Sequence, residues 1–142
     1  MTRKVLLVTT VDWTSTARYA GAFAAASWLV DTISPKGAPV TLSRYVDRCY
    51  RYRPLFALSS LRAAIEQARP DLLVTCDDRA VGLLLRLYGK EAKDSPVATL
   101  IRRSLGAPEE FDSILSRGAS MKASRAPLMR QWKVTAVPGS PH

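Results

Sequence analysis

The sequence is poor in the residues that build covalent or metal-based frameworks. Its 142 residues include two cysteines, Cys49 and Cys76, and one histidine, His142, at the very end. Two cysteines so far apart give no support to a disulfide framework or a zinc site. A single terminal histidine excludes Ser-His-Asp and Cys-His catalysis inside the fold, while carboxylate and lysine chemistry stay open. We therefore predict no metal centre and no catalytic residue.

Long apolar runs are also missing. No stretch reaches the roughly 18 consecutive apolar residues of a membrane span. The first four residues lead into a short strand-like segment rather than into the apolar core of a signal peptide. We expect a soluble, cytoplasmic protein with no membrane partner.

The glycine-rich loops that bind nucleotides are absent as well. The sequence contains neither G-x-G-x-x-G nor G-x-x-x-x-G-K-[ST], and residues 9–15, where the first loop would fall, are rich in hydroxyl groups instead. These absences argue against NAD, FAD or P-loop binding in the usual manner. Two interpretations of the hydroxyl-rich loop stay open: an anion site at the following helix N-terminus, or plain capping by Thr14 or Ser15.

Acidic residues are outnumbered, since 21 lysines and arginines against 12 aspartates and glutamates give a net charge of +9. Most of this charge is scattered, but one basic patch at 44–53 combines Arg44, Arg48, Arg51 and Arg53 with three tyrosines. Guanidinium groups and aromatic rings together can stack bases or hold phosphates. The plainer interpretation is a loop whose tyrosines cover the edge of a sheet while its arginines stay in water.

What is present is an alternation of apolar strand and helix patterns. We predict strands at 4–10, 39–43, 72–76 and 134–137. We predict helices at 16–30, 61–68, 78–89, 96–106, 108–115 and 120–132. This order is typical of an α/β fold, Rossmann-like and three-layered, with a mostly parallel sheet of about four strands and helices on both faces. Residues 1–138 would form this domain, and 139–142 a tail or the start of a linker.

Parallel sheets bind ligands at the carboxyl ends of their strands. That edge would carry residues 9–14 and, after the strand at 72–76, the adjacent acids Asp77 and Asp78. The two acids could hold an amine or a cation such as Mg²⁺. The alternative is that Asp78 caps a helix while Asp77 lies in solvent. We expect both to be accessible to solvent.

Three segments resemble a known family. Residues 69–81, RPDLLVTCDDRAV, are similar to the "rPDlliP-x-D-[DE]-x-a-v" stretch of N-terminal domains in ATP-grasp proteins. Residues 103–106, RSLG, followed by Phe111, resemble the next region of a carboxylate-amine ligase-like subgroup. Lys122, with Val137 and Pro138 further on, resembles the approach to the ATP-binding core. The order of the three matches the family, and the resemblance covers roughly residues 3–138.

The resemblance implies a substrate-shaping, pre-ATP-grasp domain that is not catalytic alone. It assigns substrate binding to Thr10, Asp12, Thr14, Asp77 and Asp78, and nucleotide contact to Lys122. ATP and Mg²⁺ belong to later lobes of the complete family, so we expect no cofactor in this chain, which ends at His142. Its partners would be a small carboxylate or amine substrate and an ATP-grasp catalytic domain in cis or trans, and a homodimer stays open.

A rival hypothesis comes from the charge. The basic patch at 44–53 would then serve a module that binds RNA or another polyanion. We favour nucleic acid less than a small-molecule ligand. Binding that falls steeply with salt would distinguish this hypothesis from the ligase domain.

Overall fold

Four strands and four α-helices lie along residues 2–106, the part of the chain that the computed structural model describes. They are β1 (Lys4–Val8), α1 (Ser15–Ala25), β2 (Leu29–Ser34), β3 (Arg48–Arg51), α2 (Ala57–Ala68), β4 (Leu72–Thr75), α3 (Asp78–Lys90) and α4 (Pro96–Leu105). Short 3₁₀ turns at Pro39–Leu42 and Pro54–Phe56 flank β3. None of the helices within 2–106 is long and apolar enough to cross a membrane. Lys122, the helices predicted at 108–115 and 120–132, the strand predicted at 134–137 and the tail lie outside the described residues.

The four strands form one parallel sheet in the order β3-β2-β1-β4. β1 lies inside the sheet between β2 and β4, and residues 5–8 are 0% exposed. Full burial on both sides is what a continuous apolar strand predicts. The predicted α/β class with a mostly parallel sheet of about four strands is thereby confirmed.

Alternate strand residues pack into two separate apolar clusters, one on each face. Leu6 and Val8 face α2, α3 and α4, whereas Val5 and Leu7 face α1 and the turn at Pro39–Leu42. The chain steps from β1 to β2 through α1, and from β3 to β4 in the opposite direction through α2. Crossovers of one hand that run in opposite directions must lie on opposite faces. Helices therefore cover both sides of the sheet.

The second strand was predicted in the wrong place. The helix expected at 16–30 ends at Ala25, and Ser27 takes a left-handed backbone, φ 67°, before β2 begins at Leu29. The segment expected as a strand at 39–43 is mostly the 3₁₀ turn. The sequence pattern did not predict β2 as a strand, because Asp31, Thr32 and Ser34 are polar residues. All three are nevertheless buried.

The basic patch at 44–53 contains an edge strand rather than only a loop. β3 pairs with β2 through Asp31↔Arg48 to Ser34↔Arg51 and forms one edge of the sheet. Its arginines are exposed, which is a common protection for a strand edge. The other edge, β4, is covered differently, since the Leu73 amide donates to Ser104 Oγ of α4 at 2.9 Å.

Candidate functional site

The candidate site lies at the carboxyl ends of β1 and β4, where the strand order reverses. β2 and β3 follow β1 to one side, and β4 returns to the other. The loops leaving β1 and β4 go to helices on opposite faces, which opens a crevice between them. Val8 pairs with Thr75 in the register, so the continuation of the two strands brings Thr10 beside Asp77.

Asp77 fastens these two loops together. Its Oδ2 accepts a hydrogen bond from the Thr10 amide at 2.7 Å, and its Oδ1 accepts one from Thr10 Oγ1 at 2.8 Å. Oδ1 also accepts from the Ala80 amide at 2.9 Å, which makes Asp77 the N-cap of α3. The Thr9 hydroxyl proton is shared between the Val11 carbonyl oxygen at 2.8 Å and Asp77 Oδ2 at 3.2 Å. The carboxylate is thus largely occupied by the protein itself.

The alternative in which Asp78 caps the helix and Asp77 lies in solvent is wrong. Asp77 has an extended backbone, φ −153° and ψ 162°, and is half-buried, whereas Asp78 is the first residue of α3 and is exposed. An N-cap needs the extended conformation so that its side chain can reach the amides of the first turn. Both acids retain some solvent exposure.

The remaining predicted substrate residues lie at the surface, on the loop after β1 and at the start of α3. Asp12 and Thr14 are exposed, as Asp78 is, and no hydrogen bond within 2–106 links these three to one another. Thr14 holds the N-cap position of α1, but its side chain makes no capping hydrogen bond and its backbone is already helical. Capping by the Thr14 side chain was therefore a wrong prediction. The anion-site interpretation of this helix end stays a prediction.

Neither cysteine is activated as a nucleophile, because the pKa of each thiol is raised. Burial raises the pKa of the Cys76 thiol, just after β4, to about 11. Burial and the negative charge of Asp31 raise the pKa of the Cys49 thiol on β3. Both thiols are free, and a protonated thiol is a poor nucleophile. No group of three or more potential His, Cys, Asp or Glu ligands for a metal occurs within the described residues.

Sequence reasoning missed the contribution of Thr9 and the division of roles between Asp77 and Asp78. The useful signal was present, since Thr9 and Thr10 directly follow one buried strand and Asp77 follows another. What the sequence lacked was the register that brings the two strand ends together.

A comparison of the sequence with known protein families and with curated proteins finds no match. The ATP-grasp resemblance therefore rests on the residues that carry it.

Proposed function

We propose that this chain is the substrate-shaping N-terminal domain of an ATP-dependent carboxylate-amine ligase of the ATP-grasp kind. The main support is that two segments carrying the resemblance, 69–81 and 103–106, contact each other. Arg103 donates to the Asp71 carbonyl oxygen at 2.7 Å, and Ser104 accepts from the Leu73 amide at 2.9 Å. Segments far apart in the sequence thus form one structural unit around β4.

The first of these segments also aligns the sheet. Arg69 ends α2 in a left-handed conformation, φ 48°, and directs the chain into β4. Asp71 Oδ2 then accepts from the Lys4 amide at 2.8 Å, which fixes β4 against β1. At the other end of β4, Asp77 fastens the loops of the crevice. The segment thus has a positioning role on either side of the strand.

The crevice has groups suited to a small molecule that carries an amine. Asp12, on the loop after β1, and Asp78, at the start of α3, provide exposed carboxylates in a chain whose net charge is +9. A protonated amine between them would gain charge-assisted hydrogen bonds. Thr14 provides an exposed hydroxyl group on the same loop as Asp12, and Thr10 holds Asp77 in place through its own hydroxyl. In the complete family ATP and Mg²⁺ would supply the phosphoryl transfer, and the residues described here would orient the substrate.

Calorimetric titration of the whole chain with a panel of amino acids and small amines tests this proposal. We expect Asp12→Asn and Asp78→Asn each to weaken binding of the best ligand about tenfold, because a hydrogen bond to a charged group contributes roughly 1.5 kcal/mol or more. Asp94→Asn, the same change in the turn between α3 and α4, is the matched control and should leave binding unchanged. Binding that survives both substitutions, or no binding by any compound, would contradict the proposal.

A further inference from the structure

A second cleft lies beside the edge strand β3 and α2, separated from the end of β1 by β2. Its volume is about 490 Å³, within the usual range for a small-molecule site. The residues that carry the argument are Tyr50, Arg51, Arg53, Phe56 and Ser59. We call it the β3–α2 cleft.

The β3–α2 cleft carries uncompensated positive charge. Arg51 and Arg53 are exposed, and within residues 2–106 neither guanidinium forms an ion pair or a side-chain hydrogen bond. None of the described residues that line the cleft is acidic. Two uncompensated arginines that line one cleft provide the positive charge that favours a phosphate dianion.

The N-terminus of α2 adds to the positive electrostatic potential of the cleft. The helix has twelve residues, its N-cap Phe56 has no side chain able to cap, and its first turn contains no acidic residue. The amides of a helix N-terminus and the positive end of its dipole favour an anion. Ser59, in the first turn, lines the cleft and brings a hydroxyl group.

Aromatic side chains lie beside the charge. Phe56 is 63% exposed, which is unusual for a large apolar ring, and it lines the cleft next to both arginines. Tyr50 lines it as well, and its hydroxyl is buried with no hydrogen-bond partner among residues 2–106. Buried hydroxyl groups normally have a partner. A flat aromatic group of a ligand would cover the exposed Phe56 ring.

We propose that the β3–α2 cleft binds a small phosphate monoester that carries an aromatic group. Arg51 and Arg53 hold the phosphate, and Phe56 packs against the ring. The size of the cleft favours a small molecule over a long polymer. The residues that line this cleft include none of the substrate residues proposed for the crevice, so it stands or falls independently of the ligase proposal.

Calorimetry at physiological ionic strength tests the assignment with phenyl phosphate, inorganic phosphate and phenol as probes. We expect phenyl phosphate to bind more tightly than either fragment. Arg51→Gln and Arg53→Gln should each weaken phenyl phosphate binding about tenfold or more. Arg18→Gln removes the same charge from an exposed position on α1, on the other face of the sheet, and should change nothing. Phe56→Ala should weaken phenyl phosphate but leave inorganic phosphate unaffected.

Three outcomes would overturn the proposal. Equal weakening by Arg18→Gln would mean that the net charge alone attracts the probe. No measurable binding of phenyl phosphate, with the protein folded by circular dichroism, would mean that the cleft holds no such ligand. A mixed-sequence single-stranded oligonucleotide that binds far more tightly than phenyl phosphate, with steep salt dependence, would assign the surface to nucleic acid instead.

Discussion

Asp31 in β2 and Asp77 after β4 are both withdrawn from water, yet their surroundings differ. Asp31 is 0% exposed, and the main interaction that offsets its burial is with a cation. Its nearest cation is Lys4, whose Nζ lies 3.4 Å from Oδ2. Asp77 instead receives hydrogen bonds from Thr10 and Ala80.

The difference shows that an ion pair with a lysine and a set of oriented hydrogen-bond donors stabilise a buried carboxylate unequally. Burial raises the pKa of the Asp31 carboxyl above its ordinary value, and the Lys4 ammonium offsets only part of that rise. A lysine on a flexible stem gives charge without fixed geometry. Amide and hydroxyl donors in a loop are already oriented, and they tie Asp77 into the fold. The two acids can therefore be distinguished by experiment.

The largest effect should come from adding a second buried carboxylate beside Asp31. Leu6 is the register partner of Asp31 in β1 and is 0% exposed. We expect Leu6→Asp to unfold the domain, because a buried carboxylate without a partner costs several kcal/mol against a total stability of about 5–15 kcal/mol. Circular dichroism during thermal unfolding measures this.

Leu29→Asp is the control for Leu6→Asp. Leu29 belongs to β2 but is 43% exposed, so the same change should leave the protein folded. A cooperative thermal transition in Leu6→Asp at the wild-type temperature would contradict the burial of β1 on both faces.

Asp77→Ala should have the next largest effect. It removes the N-cap of α3 and the hydrogen bonds that join the loops after β1 and β4. We expect a loss of about 2–4 kcal/mol in the free energy of unfolding, measured with urea. Asp78→Ala, one residue further on, changes only an exposed acid in the first turn and should cost less than about 1 kcal/mol. Equal losses in the two variants would mean that Asp77 does not brace the loops.

The smallest effect is expected for Asp31→Asn. A folded-state pKa raised above the ordinary value of 3.8 favours the protonated form in the fold. That contribution to stability is fully present below the unfolded pKa and is lost as the pH rises through the folded pKa. Asn cannot ionise, so the free energy of unfolding of the variant should rise relative to that of the wild type, by about 1 kcal/mol, between acid and neutral pH. Urea unfolding at several pH values measures the gain, and a wild type that becomes relatively more stable at higher pH would refute it.

Cys49 gives a second measure of the charge on Asp31. The Asp31 carboxylate contributes to the raised pKa of the Cys49 thiol, so Asp31→Asn should speed the alkylation of Cys49 at mildly alkaline pH. The charge of Asp31 is not among the causes that raise the pKa of Cys76, which makes its alkylation rate the internal control.

The sequence was informative where apolar periodicity and burial agree. β1 and β4 are nearly continuous apolar runs, and the apolar residues of helices α2 to α4 recur with a period near 3.6 that matches their buried faces. β2 shows no such pattern, because it is buried by its position between β3 and β1 and not by apolar residues. β3 was not predicted as a strand because arginines dominate its sequence. Charged residues are common on edge strands, so apolar residues did not mark this one.

The location of the candidate site was predictable, but its internal arrangement was not. The rule for parallel sheets indicates the carboxyl edge, where Thr10 and Asp77 do meet. Which of Asp77 and Asp78 becomes the cap depends on where the extended backbone ends, and neighbouring identical residues give no hint of that. The Thr10 contact depends on strand register, which one sequence does not contain.

The position of β1 inside the sheet has a consequence for synthesis. β1 precedes the other three strands, yet it gains its second neighbour only with β4, and the hydrogen bond between Lys4 and Asp71 spans 67 residues. Until β4 has left the ribosome, one edge of a strand that is apolar apart from Lys4 offers unpaired amides and carbonyls. Late, long-range pairing of this kind exposes nascent chains to aggregation. A chaperone that shields the first strand during translation would therefore protect this chain at its most vulnerable stage.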